Sequence, residues 1–268
     1  MGKTEILRTE EARSVTDGKR MKRPNLFVLG AAKCGTTSMY SYLRQHPEVH
    51  MSPFKEPSFF CREFQVVRNP IDYFRLFECG SEKKVVGEAS HVYFSNPDTP
   101  PVLNALFPDA RFIVILRNPA LRSYSLYQFM RQLGYETIPS FEEALAEEEG
   151  RFNDPSFLTD CPQYFWNFMY FRSSLYDEQL VRYFSLYDRS RFFIMSLAEL
   201  AGAPQLWMEK IFRFLSVSPD AVIDYTPCNV SDYPEISQNI KAKLEMRFAS
   251  MLSRIPLLAG RPLDLESL

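Results

Sequence analysis

No stretch of the 268 residues approaches eighteen consecutive apolar side chains, and Met1 to Lys22 is polar and mixed in charge. Neither a membrane span nor a secretory leader is therefore expected. Cysteine is scarce and odd in number, 5 in all at irregular spacings with no Cys-x-x-Cys pair. That fits neither a disulfide framework nor a zinc site and points to a reducing, cytoplasmic setting. An excess of one charge sign is missing too: 31 Lys and Arg nearly cancel 33 Asp and Glu, for a formal net charge of −2. No global positive field is available to gather nucleic acid or a long polyanion. What is plentiful is apolar and aromatic material, 46% and 15% of the chain, enough for one large α/β core.

Residues 1–24 read as a flexible N-terminal lead-in ending at Pro24, and 25–268 as a single domain. Apolar runs at Leu26–Leu29, Val85–Val86, Phe112–Leu116 and Phe192–Met195 alternate with helical patterns. The latter lie near Thr36–Gln45, Pro119–Leu133, Phe141–Glu149, Ser173–Phe184, Pro204–Leu215 and Ile236–Leu252. Such alternation predicts a mainly parallel sheet with helices on both faces. Ser140 and Glu143 carry the signature of a capping box for the Phe141–Glu149 helix. Its acidic run, Glu142, Glu143, Glu147, Glu148 and Glu149, reads as a solvated face. Between Arg151 and Gln163 the periodicity disappears and Asn153, Asp154, Pro155, Ser156, Asp160 and Pro162 accumulate, which reads as a loop and a candidate lid.

Residues 26–38, Leu-Phe-Val-Leu-Gly-Ala-Ala-Lys-Cys-Gly-Thr-Thr-Ser, read as a buried strand, a glycine-framed loop and a helix start. Gly30 and Gly35 let backbone N–H groups turn inward. Thr36, Thr37 and Ser38 add hydroxyls beside the positive helix N-terminus, and Lys33 adds one full charge, so the segment forms a cradle for a phosphate or sulfate ester. The spacing of the two glycines invites comparison with a nucleoside triphosphatase loop. In that loop, however, lysine follows the second glycine and a metal-holding Ser or Thr follows the lysine; here Thr36 follows Gly35 and Lys33 sits inside the loop. A triphosphatase also needs a metal-binding Asp after a second apolar strand, whereas Arg111-Phe-Ile-Val-Ile-Leu116 runs into Arg117. An arginine suits an anion. Arg117 and Ser125, on a helix that Pro119 starts, can converge on one phosphate. Two anion sites call for one ligand with two anionic ends.

Three further blocks accompany these segments: Lys55-Glu-Pro-Ser-Phe-Phe60, Tyr170-Phe-Arg-Ser-Ser-Leu-Tyr-Asp-Glu-Gln-Leu180 and Tyr233-Pro-Glu-Ile-Ser237. Together, from about Asn25 to about Leu244, the five resemble the 3′-phosphoadenosine 5′-phosphosulfate-dependent sulfotransferases. The similarity is to the heparan-sulfate and carbohydrate branch and to bacterial natural-product tailoring enzymes. The resemblance implies a three-layer sandwich related to that of the P-loop triphosphatases, with a central, mainly parallel sheet. It implies that Ala32, Lys33, Cys34, Gly35, Thr36, Thr37 and Ser38 bind the 5′-phosphosulfate and that Arg117 and Ser125 hold the 3′-phosphate. It also makes Glu56 a candidate catalytic base. Where heparan-type relatives carry a Lys-Gly-Arg clamp before the position of Pro234, this chain has Val230, Ser231 and Asp232, so Asn229 and Ser231 become its hydrogen-bonding replacements.

The chemistry can be argued from the residues. Moving a sulfuryl group needs a base on the attacking side and positive charge where the bridging oxygen leaves; Glu56 and Lys33 supply these. Lys33, Arg117 and the helix N-terminus already counter the donor's charge, so no metal is required. Other bases stand beside Glu56. In the block Gly87-Glu88-Ala-Ser-His91-Val-Tyr93, Ala89 replaces a lysine of the heparan branch and His91 replaces a proline; His91 or Glu88 can also serve, and the choice stays open. Lys55 can lower the pKa of Glu56 or reach the donor itself, and its role is open as well. Arg122 and Arg131 read as solvated or ion-paired. Phe59 and Phe60 read as packing, Tyr93, Tyr127 and Trp166 as packing or as walls of an acceptor pocket, Cys34 as filler of a small apolar gap, and His46 and His50 carry no assigned role.

The expectation is a soluble sulfotransferase, monomeric or homodimeric. It acts on a hydroxyl, less readily a nitrogen, of a small specialised metabolite such as an alkaloid or polyketide, and residues 134–170 select the acceptor. A glycan or glycolipid acceptor is the alternative. A module that binds the donor or its bisphosphate product without turnover is the alternative of another class.

Overall fold

The computed structural model describes residues 23–228 and 233–265. Most of the expected lead-in, and the expected donor contacts Asn229 and Ser231, lie outside the described residues. Five strands, β1 (Leu26–Gly30), β2 (Val49–Met51), β3 (Val85–Ala89), β4 (Arg111–Leu116) and β5 (Phe192–Ser196), form one sheet in the order β2-β3-β1-β4-β5. Every neighbouring pair is parallel. Parallel strands are covered on both faces and so read as unbroken apolar runs, which is why β1 and β4 stand out in the sequence. Residues 26–29 of β1 and 112–116 of β4 are wholly buried.

β2 escapes a reading of the sequence, because it has three residues with the polar His50 at their centre. β3 shows there only as Val85–Val86, since Gly87 and Glu88 interrupt its apolar run. A Cβ at Gly87 would lie 2.8 Å from the Leu26 carbonyl oxygen; glycine is what lets β3 close against β1. Helices flank the sheet. The Thr36–Gln45 helix packs on β1, β2 and β3, and a C-terminal helix, Gln238–Ala259, packs on the Pro119–Gln132 and Tyr176–Phe184 helices. No helix among the described residues is long and apolar enough to cross a membrane.

Three sequence expectations are corrected. The Arg151–Gln163 stretch is no loop: one helix runs from Phe141 to Asn153 and another from Pro155 to Asp160. The Asp154 side chain caps the second by accepting from Ser156 N at 2.9 Å, so the polar cluster marks a helix junction. Ser140 does accept from Glu143 N at 3.4 Å, but the reciprocal box forms at Ser196 and Glu199. In the acidic run Glu142, Glu143, Glu147 and Glu149 are not buried, whereas Glu148 is. Its carboxylate accepts from Phe171 N at 2.7 Å and Arg172 N at 2.9 Å.

Glu88 is the unusual residue of the sheet, a carboxyl with 0% exposure inside β3. One oxygen accepts from the Tyr73 hydroxyl at 2.6 Å and the Tyr93 hydroxyl at 3.0 Å, the other from the Ser90 hydroxyl at 2.6 Å. Ser90 Oγ in turn accepts from Ser58 N at 3.0 Å, which ties β3 to the loop carrying Glu56. Burial pushes the Glu88 carboxyl up to about 7, against the pull of its three hydroxyl partners. A carboxyl raised from 4.5 to about 7 stabilises the fold fully below its unfolded value and loses that contribution as pH rises through 7. Glu88→Gln mimics the protonated form and abolishes this term. In urea unfolding at pH 5.5 and pH 8, wild-type protein should lose roughly 2 kcal/mol more than the variant across the interval. Identical pH dependence in the two proteins would show that the buried carboxyl ionises without penalty.

Candidate functional site

The loop after β1 turns on two left-handed residues, Lys33 at φ 65° and Gly35 at φ 82°. At Gly35 the left-handed conformation favours glycine, and a Cβ there would also meet the tip of Leu197 at 2.7 Å. The Thr36–Gln45 helix starts there with no side-chain cap. Its first-turn N–H groups are left for an external acceptor, as in an anion site.

Behind the loop lies Arg122, only 2% exposed. Its Nε donates to the Ala32 carbonyl at 3.1 Å, and Nη1 donates to Ser173 Oγ at 2.6 Å and Ser174 Oγ at 2.9 Å. The expectation of a solvated or ion-paired side chain is thus corrected: among the described residues no carboxylate lies within ion-pair distance of Arg122. Arg131 is exposed and donates to the carbonyls of Glu136 and Thr137. The block from Tyr170 to Leu180 is legible in the sequence as a block, but its work is not. Ser173 and Ser174 hold Arg122, and the Tyr176 hydroxyl donates to the Arg117 carbonyl at 3.0 Å.

The other expected donor-site residues divide. The Lys33 ammonium lies 4.4 Å from the centre of the Phe129 ring and 5.7 Å from that of Tyr233. Burial, then the nearby Arg117 guanidinium, lowers its pKa. Asn118 caps the Pro119–Gln132 helix by accepting from Ala120 N and Leu121 N, and Ser125 is buried on that helix. The Ser38 Oγ accepts from Cys228 N at 3.0 Å and ties the helix start to the C-terminal segment. Cys34 is buried, and burial pushes its thiol up; it fills space, as expected.

On the opposite side of the loop stand three side chains from separate sequence blocks or with separately argued roles. The Lys55 ammonium donates to Thr36 Oγ1 at 2.9 Å and Thr37 Oγ1 at 3.2 Å, and lies 3.1 Å from Glu56 Oε1. The other carboxylate oxygen, Oε2, pairs with His91 Nδ1 and accepts from His91 N at 3.3 Å. Burial raises the Glu56 carboxyl, but His91 and Lys55 outweigh it and hold the group down at about 2. Glu88, the third candidate base, faces Tyr73, Tyr93 and Ser90 inside the sheet.

Five of these groups follow the C-terminal ends of parallel strands: Lys55 and Glu56 after β2, His91 after β3, Lys33 after β1 and Arg117 after β4. Ligands of open α/β sheets bind at that edge. The donor set, uncapped N–H groups with two ammonium groups, a guanidinium and threonine hydroxyls, fits a phosphosulfate.

The Sulfotransferase domain family model matches residues 23–242. Human carbohydrate sulfotransferase 15 is 28% identical over 269 aligned positions, covering 79% of this chain and 48% of that protein. Human bifunctional heparan sulfate N-deacetylase/N-sulfotransferase 2 is 29% identical over 223 positions, covering 76% of this chain and 23% of that protein. The chain therefore spans about half the length, or less, of these curated relatives. The crystal structure of a sulfotransferase from Alicyclobacillus acidocaldarius superposes with a TM-score of 0.79 at 32% identity, covering 91% of this chain and 98% of that one. A family match across most of the chain thus coincides with an anion cradle and an acid–base pair at one sheet edge, and the chain belongs to the sulfotransferase domain family, whose sulfate donor is phosphoadenosine phosphosulfate.

Proposed function

We infer that the chain moves the sulfuryl group of phosphoadenosine phosphosulfate to an acceptor hydroxyl and releases adenosine 3′,5′-bisphosphate. The observation that carries this reading is the Glu56 carboxylate, held between Lys55 on the cradle side and His91 on the other. Binding an anion requires no such pair; deprotonating a hydroxyl beside one does.

The roles follow from charge. A carboxyl held at about 2 stays ionised at neutral pH and is a weak base. Glu56 accepts from the Nδ1–H of His91 and fixes the ring, leaving Nε2 to take the acceptor proton. This is the arrangement by which a buried carboxylate orients a catalytic histidine in hydrolases. As the acceptor oxygen bonds to sulfur, the bond from sulfur to the bridging oxygen breaks and its electron pair remains on the phosphate. Lys33 and the N–H groups of the Thr36–Gln45 helix face that charge, while Arg117 holds the 3′-phosphate end of the donor. Positioning supplies much of the rest.

Two acceptor classes have support. The names of the relatives favour a carbohydrate acceptor, and that of the N-sulfotransferase brings in a nitrogen beside a hydroxyl as the atom sulfated. The near-balance of charge, a net −2, and Ala89 favour a small specialised metabolite over a long polyanion. Paired assays on desulfated oligosaccharides and on a panel of hydroxylated alkaloids and polyketides separate them. The five cysteines, all free, support a reducing, cytoplasmic setting.

Titration calorimetry should show saturable, metal-independent binding of the bisphosphate that weakens at least about tenfold in Lys33→Ala, the effect of removing one charge-assisted hydrogen bond. A preference for magnesium ATP, or binding of neither ligand, would overturn the donor assignment. His91→Asn should lower kcat by about 10²–10⁴ while leaving bisphosphate affinity within about threefold. Wild-type turnover in that variant, with none in Glu56→Gln, would make the carboxylate the base. A wild-type protein that binds the bisphosphate tightly yet sulfates nothing in either panel would favour the binding-only module.

A further inference from the structure

The lysines flanking the loop do different things. Lys33 lies over Phe129 and Tyr233, and Arg117 is close enough to depress its pKa. Lys55 spans two parts of the site with one ammonium: the Thr36 and Thr37 hydroxyls at the uncapped helix start, and Glu56 Oε1. Its side chain is only 15% exposed, so this charge is only weakly screened by solvent.

A lysine ammonium has three protons and no acceptor capacity, and three oxygens surround this one. Because each threonine oxygen accepts from Lys55, each hydroxyl proton is free to turn outward and donate to an anion in the cradle. Glu56 Oε1 marks the acceptor side of the same ammonium, since Oε2 holds His91. Lys55 thus joins the threonine hydroxyls of the cradle to the carboxylate that holds His91.

We propose that Lys55 is a donor-site residue whose positive charge, with the Thr36 and Thr37 hydroxyl protons that its own donation turns outward, holds the transferring sulfuryl group itself rather than the nucleotide phosphates. The assignment rests on the sulfotransferase reading of the site. Lys33, Arg117 and the helix N–H groups anchor the part of the ligand that is common to donor and product, and Lys55 distinguishes the two. It also meets the negative charge that moves with the sulfuryl group, beside the Glu56 and His91 pair that receives the proton.

The product lacks the group that Lys55 holds, and this gives a test independent of turnover. Calorimetry without acceptor compares phosphoadenosine phosphosulfate with adenosine 3′,5′-bisphosphate on wild-type, Lys55→Met and Lys55→Arg proteins, with thermal midpoints confirming that each is folded. In Lys55→Met, donor affinity should fall about tenfold to a hundredfold, as for loss of a charge-assisted hydrogen bond, while bisphosphate affinity changes less than about threefold. Lys55→Arg, which keeps the charge, should recover most of the donor affinity. Equal weakening of both ligands would make Lys55 an ordinary part of the phosphate cradle and overturn the proposal; so would unchanged affinity for both. Failure of the wild-type protein to bind either ligand is a different result, and it removes the sulfotransferase reading on which the proposal stands.

Discussion

Everything at the site depends on one constraint, that β1 runs parallel to the strands on both its sides. Parallel neighbours finish on the same edge of a sheet. Short excursions after β1, β2, β3 and β4 therefore bring Lys33, Lys55, Glu56, His91 and Arg117 into one neighbourhood from positions up to 84 residues apart. Gly87 makes the approach of β3 to β1 close enough to matter. A Cβ at Gly30, the last residue of β1, would come within 3.2 Å of the His91 carbonyl oxygen, so the cradle and the histidine share a wall.

The second constraint is electrostatic. Lys33, Lys55, Arg117 and Arg122 gather around one loop with Glu56 as the carboxylate in contact with Lys55, and the depressed pKa of Lys33 reflects burial together with repulsion from Arg117 and Lys55. Such crowding opposes folding and is relieved by an anion of matching charge, so a bound phosphosulfate would stabilise the native state as well as occupy it. The opposite arrangement lies one strand away. Burial raises the pKa of the Glu88 carboxyl to about 7 despite its hydroxyl partners, while Glu56 is kept ionised by its two partners. Two glutamates from adjacent strand ends thus have opposite proton habits, set by their surroundings.

Much of this is legible in the residues. The strand, loop and helix start of 26–38 and the Arg117 segment carry their chemistry in local order, and β1 and β4 announce themselves by unbroken apolar runs. What is not legible depends on contacts between distant segments. The two hydroxyls that hold Arg122 come from Ser173 and Ser174, and nothing in the spacing from 117 to 131 says that this arginine is buried. The same holds for Lys55: its neighbours in sequence are Phe54 and Glu56, but its partners Thr36 and Thr37 lie about twenty residues earlier. The junction at Asp154 and Pro155 misleads for another reason, because helix caps and loops recruit the same residue types. Nor does the sequence show that the Ser38 hydroxyl accepts from the Cys228 backbone 190 residues later.

Arg122 carries one more implication. Its charge sits beneath the loop at 2% exposure, deeper than Lys33, Lys55 and Arg117, which are only partly buried. Dissolved salt screens rim charges over roughly 8–10 Å at physiological strength but reaches a buried guanidinium poorly. Part of the attraction this fold exerts on an anion is therefore less sensitive to ionic strength, and a count of the basic residues around the loop overstates how steeply its hold on a nucleotide weakens in salt.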